Sequence, residues 1–406
     1  MTASALEDLK VVDFSWVVAG PSVTLLLAAH GATVIKVESK QRLDTLRTNL
    51  PYKDNRPGLD RSGYFAFFNA NKHSVALNLN HPKAREIARK LIMWAGVVVD
   101  NFRPGVLKKW GLDYEHLVKE RPDLIMLSIS SQGQKGPYAR HFSFGAHLAG
   151  LCGFTELTGW ADREPAQPYG TYTDVIAPHY AVALLLTCLD HRRRTGQGQY
   201  IDLSQFEAGE QFLAPLLLDY FVNGRVNSRT GNSHNSAAPH GVFRCRGDER
   251  WCAITVMNDT QWQSFSQVVQ ADGLTWVTED RFTTFPGRKQ QEEDLDHLVE
   301  QWTKQHSAEE ITARLREAGV PANVAETTED LLNNQQLKTR GYFWEIEHPE
   351  LGAFRYMGTA AKLSKTPAQA KRPSPLLGEH TEYVCHEILG IPDDEFVAMM
   401  ADGVFE

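Results

Sequence analysis

Strand-like and helix-like hydrophobic patterns alternate through the first half of the chain. The apolar, β-branched run 9–14 ends at Ser15 and gives way to a loop with Gly20 and Pro21. A helical pattern at 23–29 follows, Gly31 breaks it, and 33–38 predicts a second strand. The succession returns as helix 82–94, strand 97–100, helix 112–120 and strand 124–129. Strands alternating with helices of this length predict parallel βαβ units in a sheet covered on both faces.

Residues 174–194 read as one long helix, apolar at its centre. It ends in Arg192, Arg193 and Arg194 before Gly196 and Gly198. Cations at a helix C-terminus suit its dipole, so the arginines need no ligand to explain them. From 223 to 239 the chain turns polar and glycine-rich, which marks a crossing into a second domain. That domain combines a hairpin, 242–245 with 251–256, and helices at 260–270 and 292–305. After Pro321 the chain is expected to return, with a hairpin at 342–347 and 353–357 and a last helix. The expected division is 1–225 for the first part of a large α/β domain, 226–325 for a small α+β domain, and 326–406 for the return.

Composition narrows the function classes. A chain of 406 residues suits two domains, and 42% apolar with 23% charged residues describes an ordinary globular protein. The first residues carry acids and no apolar core region, so no signal peptide is expected. The apolar stretch 182–186 is far short of a membrane span, and no membrane partner is expected. A net charge of −8 argues against a nucleic-acid partner. The five cysteines show no metal-ligand or redox spacing and are read as reduced thiols of a cytoplasmic protein. His141, His147, His179, His234 and His240 fit no metal spacing either, so no metal is expected.

The first βα loop, Asp13-Phe14-Ser15-Trp16-Val17-Val18-Ala19-Gly20-Pro21, lacks the three glycines of a dinucleotide fingerprint, which disfavours nicotinamide and flavin chemistry. Asn101-Phe102-Arg103-Pro104-Gly105 closes a strand and opens a helix, the usual place for a ligand on a parallel sheet. It also reads as a plain turn. Asp174 precedes an apolar helix and reads either as an N-cap or as a nucleophilic carboxylate held ionised by the helix end.

In their order and spacing these pieces resemble the family III CoA-transferases, the group that includes formyl-CoA transferase, carnitine CoA-transferase and the α-methylacyl-CoA racemases. The resemblance runs through Val11-Val12-Asp13-Phe14, Ala19-Gly20-Pro21, Gly31-Ala32-Thr33-Val34-Ile35-Lys36-Val37-Glu38 and Asn69-Ala70-Asn71-Lys72. It continues in Asn101-Phe102-Arg103-Pro104-Gly105, Arg194-Thr195-Gly196-Gln197-Gly198-Gln199 and Pro375-Leu376-Leu377-Gly378-Glu379-His380-Thr381.

The resemblance implies a Rossmann-like large domain, a small domain and an interlocked dimer. It implies Asp174 as the nucleophile and a coenzyme A thioester as substrate, with no permanently bound cofactor. By position it suggests CoA contacts from the Val18 and Ala19 backbone, Lys40 (or Arg42) near the pyrophosphate, Asn101 and Phe102 near the adenine, and Lys109. Where the racemases need a histidine this chain has Phe144, which cannot move a proton. His141 and His147 are expected to point elsewhere, so transfer is favoured over racemisation or epimerisation. A non-catalytic partner subunit is disfavoured by the presence of Asp174. The glycine run that closes over small acids is replaced by Asn235-Ser236-Ala237-Ala238-Pro239-His240. Trp16, Phe142 and Phe144 then suggest an aromatic wall.

Within the family the likeness runs toward the benzylsuccinate CoA-transferases, on the side of the aspartate-bearing subunit. It implies succinyl-CoA as donor and an aromatic dicarboxylate such as 2-benzylsuccinate as acceptor. Arg47, Arg61 or Arg140 would hold the second carboxylate, and the assembly would be a homodimer or a heteromer with a related subunit.

Overall fold

The computed structural model describes residues 4–406. Six strands form one sheet: β1 (Lys10–Asp13), β2 (Thr33–Glu38), β3 (His73–Ala76), β4 (Val97–Asp100), β5 (Ile125–Ser130) and β6 (Tyr200–Ser204). Their order is β3-β2-β1-β4-β5-β6, with every neighbouring pair parallel. This is an α/β fold with the doubly wound, Rossmann-like strand order.

Successive residues of each strand serve opposite layers. Val12, Ile35 and Val98 pack with Ile87 and Leu91 of helix Pro82–Ala95, and the C-terminal Val384, Phe396 and Met399 join the same layer. Val11, Val34 and Val97 pack the other way, against Val23 and Leu27 of helix Ala19–Ala29 and Ala181 and Leu185 of helix Tyr172–Thr195. Both faces need apolar cover, which is why these strands read as unbroken apolar runs rather than alternating ones.

Helix Tyr172–Thr195 is long and apolar enough by composition to cross a membrane. Here Ala177, Ala181, Leu185, Cys188 and Leu189 of that helix are buried within the unit, and it carries Asp174, Asp190 and three arginines.

Two strands of the sheet, β3 and β6, were not expected. His73-Ser74-Val75-Ala76 holds one β-branched residue, and β6 is an edge strand with exposed Tyr200 and Asp202 between buried positions. The helix expected over 112–120 is the single turn Tyr114–Leu117. Pro122 follows too closely to let the helical backbone run on.

By contacts the chain divides into two compact units. One comprises the described residues of Met1–Phe154 with Gln167–Val226 and Lys338–Glu406; the other comprises Thr155–Ala166 and Asn227–Leu337. In the smaller unit β7 (His240–Arg244), β8 (Trp251–Thr255) and β9 (Ala322–Val324) form an antiparallel sheet. Its core gathers Trp262, Phe265, Phe282 and Trp302.

The return to the larger unit falls at Lys338, later than the expected 326. β9 pairs with β8, and Arg250 holds Asp330 at 2.7 Å, so these residues stay with the smaller unit. Residues 155–166, assigned to the large domain from sequence, belong there too, through Arg229 on Glu156 (2.7 Å) and Gly231 N–H on the Gly159 carbonyl (2.8 Å). In the larger unit β10 (Phe343–His348) and β11 (Gly352–Met357) form a hairpin packed on Ala66 and Ala70.

Candidate functional site

The strand order reverses between β1 and β4, so the connections leaving their C-terminal ends diverge and leave a crevice. A cavity of about 670 Å³ lies at that edge of the sheet, a volume suited to a small-molecule ligand.

The β1 loop forms part of its lining. Trp16 N–H donates to Asn101 Oδ1 at 2.8 Å and Asn101 Nδ2 donates to the Trp16 carbonyl at 2.6 Å. One amide side chain from the β4 end thus fixes both backbone groups of Trp16. A side chain at Gly20 would meet Ser15 Cβ at 2.2 Å, so only glycine lets the loop fold back here. Helix Ala19–Ala29 begins with no side-chain cap and no acidic residue in its first turn, leaving N–H groups at the cavity edge.

Asp174 sits on the third residue of helix Tyr172–Thr195, not at the cap; the cap position is Thr171. The helix starts two residues earlier than its apolar stretch suggested, which brings the carboxylate into the first turn. Gln205 Nε2 donates to Asp174 Oδ1 at 2.5 Å, and the Thr171 side chain also bonds it. A Cβ at Gly145 would lie 2.6 Å from Asp174 Oδ2, so the close approach of helix Gly145–Leu151 depends on that glycine.

The helix end is not the main influence on the Asp174 carboxyl. Burial pushes its pKa above the ordinary aspartate value, and the bonds from Gln205 and Thr171 only partly offset this. The result is a half-buried, poorly solvated carboxylate facing a cavity, a strong nucleophile once it is ionised.

Trp16, Val18, Ala19, Asn101, Phe102 and Lys109 all line this cavity, as do Phe142, Phe144 and Asp174. Lys40 does not: it is exposed beyond the lining, whereas Ser39, Gln41 and Arg42 contribute. Arg42 stands over the Trp16 ring at 5.5 Å, and Arg103 over the Phe142 ring at 4.4 Å. Phe142 and Phe144 meet edge to face at 4.6 Å, and Trp16 meets Phe102 likewise at 5.5 Å. His141 lines the cavity too, contrary to expectation, while His147 instead accepts from Phe144 N–H at 3.3 Å.

Two of the three arginines proposed for a second carboxylate are already engaged. Arg47 is buried and fork-bonded to Glu38 at 2.8 and 2.7 Å, and it also holds Asp60. Arg61 pairs with Asp54 and Glu350. Arg140 is exposed and does not line the cavity. The lining cations are Arg42, Arg103 and Lys109. Sequence reasoning missed Arg103 as a separate residue although its loop was singled out, and it had no signal for Gln205. Among the described residues no cluster of metal-ligating side chains occurs, and all five cysteines are buried and unbridged.

The model of CoA-transferase family III matches residues 6–381. The chain is 30% identical to the succinyl-CoA–D-citramalate CoA-transferase of Chloroflexus aurantiacus over 402 residues, covering 98% of each chain. It is 32% identical to the succinyl-CoA–L-malate CoA-transferase beta subunit of the same organism, covering 97% of this chain and 96% of that one. Among solved structures it is similar to a CAIB/BAIF family protein from Brucella suis, with a TM-score of 0.87, 32% identity and 96% and 100% coverage.

Proposed function

The chain belongs to the family III CoA-transferases, and from that premise we propose that it moves CoA from succinyl-CoA to a dicarboxylic acid through Asp174. The observation that carries this reading is the desolvated Asp174 carboxylate in a cavity lined by three cations. Asp174 attacks the donor thioester carbonyl and expels CoA thiolate, leaving an aspartyl–acyl anhydride. The thiolate then attacks the aspartyl carbonyl, releases the donor carboxylate and leaves an aspartyl-CoA thioester. The acceptor carboxylate attacks that carbonyl, forming a second anhydride and freeing the thiolate. Attack of the thiolate on the acceptor acyl carbon gives the product and restores Asp174. Each step exchanges one good leaving group for another, which divides an exchange that two carboxylates cannot make directly.

The acceptor we favour carries a ring, as 2-benzylsuccinate does. Phe142 and Phe144 expose 59% and 52% of their surface in the lining, and covering them would contribute on the order of 2 kcal/mol. The names of the citramalate and malate enzymes favour a second reading, an aliphatic hydroxy-dicarboxylate.

The protein would act in the cytoplasm as an interlocked homodimer or with a related subunit. Helix Ala214–Asn223 supports a partner, since none of its residues is buried and Leu218, Phe221 and Val222 are exposed. The malate enzyme's beta subunit gives a precedent for a heteromer. The mechanism is tested by mass spectrometry of protein mixed with succinyl-CoA. A CoA adduct should map to the peptide holding Asp174, and an adduct on another residue, or none in active enzyme, would sink the assignment.

A further inference from the structure

Beneath the β1 loop lies a set of buried charges that the transfer chemistry does not use. Asp44 is 1% exposed. Its Oδ1 accepts the N–H groups of Val17 and Leu46, each at 3.1 Å. Its Oδ2 lies 3.2 Å from Lys36 Nζ, which donates to the Ser15 carbonyl at 2.6 Å. On the other side of the loop, Asp13 Oδ1 accepts Ser15 N–H at 2.8 Å, and Lys72 sits 3.1 Å from Asp13 Oδ2.

Val17, at the centre, has φ +65° and lines the cavity. A β-branched residue takes that left-handed conformation only when its surroundings force it. Capping the turn Thr45–Thr48 accounts for the Asp44 bond to Leu46. It does not account for the same oxygen taking the N–H of a strained residue 27 positions earlier.

We propose that Asp44 is a positioning residue. Through Val17 N–H, and through Lys36 to the Ser15 carbonyl, it keeps Val17 left-handed and so aims the Val18 and Ala19 backbone at the bound thioester. This rests on the reading that the cavity binds CoA thioesters. Asp44 moves no proton and touches no reacting atom, so its loss should act on binding and leave the chemical step alone. Glycine tolerates the left-handed region without help. Val17→Gly should therefore remove the need for Asp44.

The test is a double-mutant cycle of Asp44→Ala with Val17→Gly, read by calorimetric binding of CoA and by steady-state kinetics with succinyl-CoA. Asp44→Ala should raise the CoA Kd and the succinyl-CoA KM about tenfold, from the size of the strain, with kcat within about twofold. In the Val17→Gly background the same change should raise Kd by less than about threefold. Asp44→Asn, which keeps the acceptor oxygen and removes the charge, should fall between, and it serves alone if the alanine variant does not fold. Equal penalties in both backgrounds, or a fall in kcat with KM unchanged, would overturn the proposal while leaving the CoA-transferase reading in place. A wild-type protein that fails to bind CoA would overturn both.

Discussion

Asp100 offers a sharp test of the electrostatics under the site. It ends β4, is 2% exposed, and has no cation among its contacts. Its oxygens accept Ser128 Oγ at 2.6 Å and Phe102 N–H at 3.1 Å, and burial pushes its pKa up to about 6. A carboxyl whose folded pKa is raised favours the native state below its unfolded pKa, and that contribution is lost as pH rises through about 6. The difference from the ordinary value of 3.8 is about two pKa units, which corresponds to about 3 kcal/mol between pH 4 and pH 7.

Asp100→Asn has nearly the same shape and stays neutral. Its amide oxygen can still take Phe102 N–H, and the Ser128 hydroxyl can turn to accept. Trading a charge-assisted bond for a neutral one gives back about 1 kcal/mol. The variant should therefore be more stable than wild type by about 2 kcal/mol at pH 7.5, with the gap closing by pH 4. Urea unfolding at a series of pH values measures it, provided the transition of the larger unit is followed separately. A variant less stable at pH 7.5, or a gap that does not change with pH, would refute the assignment of Asp100 as an ionised, unpaired buried group.

Asp174→Ala should abolish turnover and the CoA adduct while CoA still binds, and Asp174→Asn should not rescue, because an amide cannot form the anhydride; turnover in both, assayed by thioester exchange, removes Asp174 from the mechanism. In wild type the single-turnover rate of adduct formation should fall on acidification through a pKa above the ordinary aspartate range, since burial raises the group and only its anion attacks; a rate flat down to that ordinary range would contradict the desolvated site. Gly145→Ala places a methyl 2.4 Å from Thr171 Cβ and 2.6 Å from Asp174 Oδ2, so it should lower kcat roughly 10²-fold and also lower the melting temperature; unchanged kcat would show that the close approach at Gly145 does not position the carboxylate. In competition for limiting succinyl-CoA, 2-benzylsuccinate should outrun formate, oxalate and carnitine; preference for malate or citramalate would select the aliphatic reading, and preference for oxalate or carnitine would sink the aromatic wall.

What the sequence made legible was whatever rests on local pattern. β1, β2 and β4 are rich in β-branched residues and β5 is a largely apolar run, all buried on both faces, and their ends fell within a residue of expectation. β3 and β6 escaped because their pairing, not their composition, makes them strands. Asp174 could be marked as a helix-start carboxylate, but its solvation could not. That depends on Gln205, 31 positions away, and on a glycine in another helix. Of the alternatives Lys40 and Arg42, the second lines the cavity and the first does not: past the end of β2 the chain turns, and Gln41 and Arg42 face the cavity.

The arginines show the same divide and say why it arises. Arg47 stands in a polar stretch that reads as surface, yet it is buried against Glu38 and Asp60, with Lys36 and Lys72 buried on aspartates nearby. A buried cation is tolerated only when paired, so each of these is committed to holding strand ends and loops together. Arg42 and Arg103 lie on exposed loop positions and Lys109 at the exposed end of the short helix Val106–Lys109, where water solvates them. Waiting there costs little, and an anionic ligand that displaces that water meets three donors with no competing carboxylate among their ion pairs. In a chain of net charge −8, attraction for an anion must come from such a local cluster, because beyond about 10 Å salt screens it from the rest. The division of labour among the cations therefore follows from burial. It cannot be read from residue type, which is why the sequence offered Arg47, Arg61 and Arg140 alike for the acceptor, whereas the cations that line the cavity are Arg42, Arg103 and Lys109.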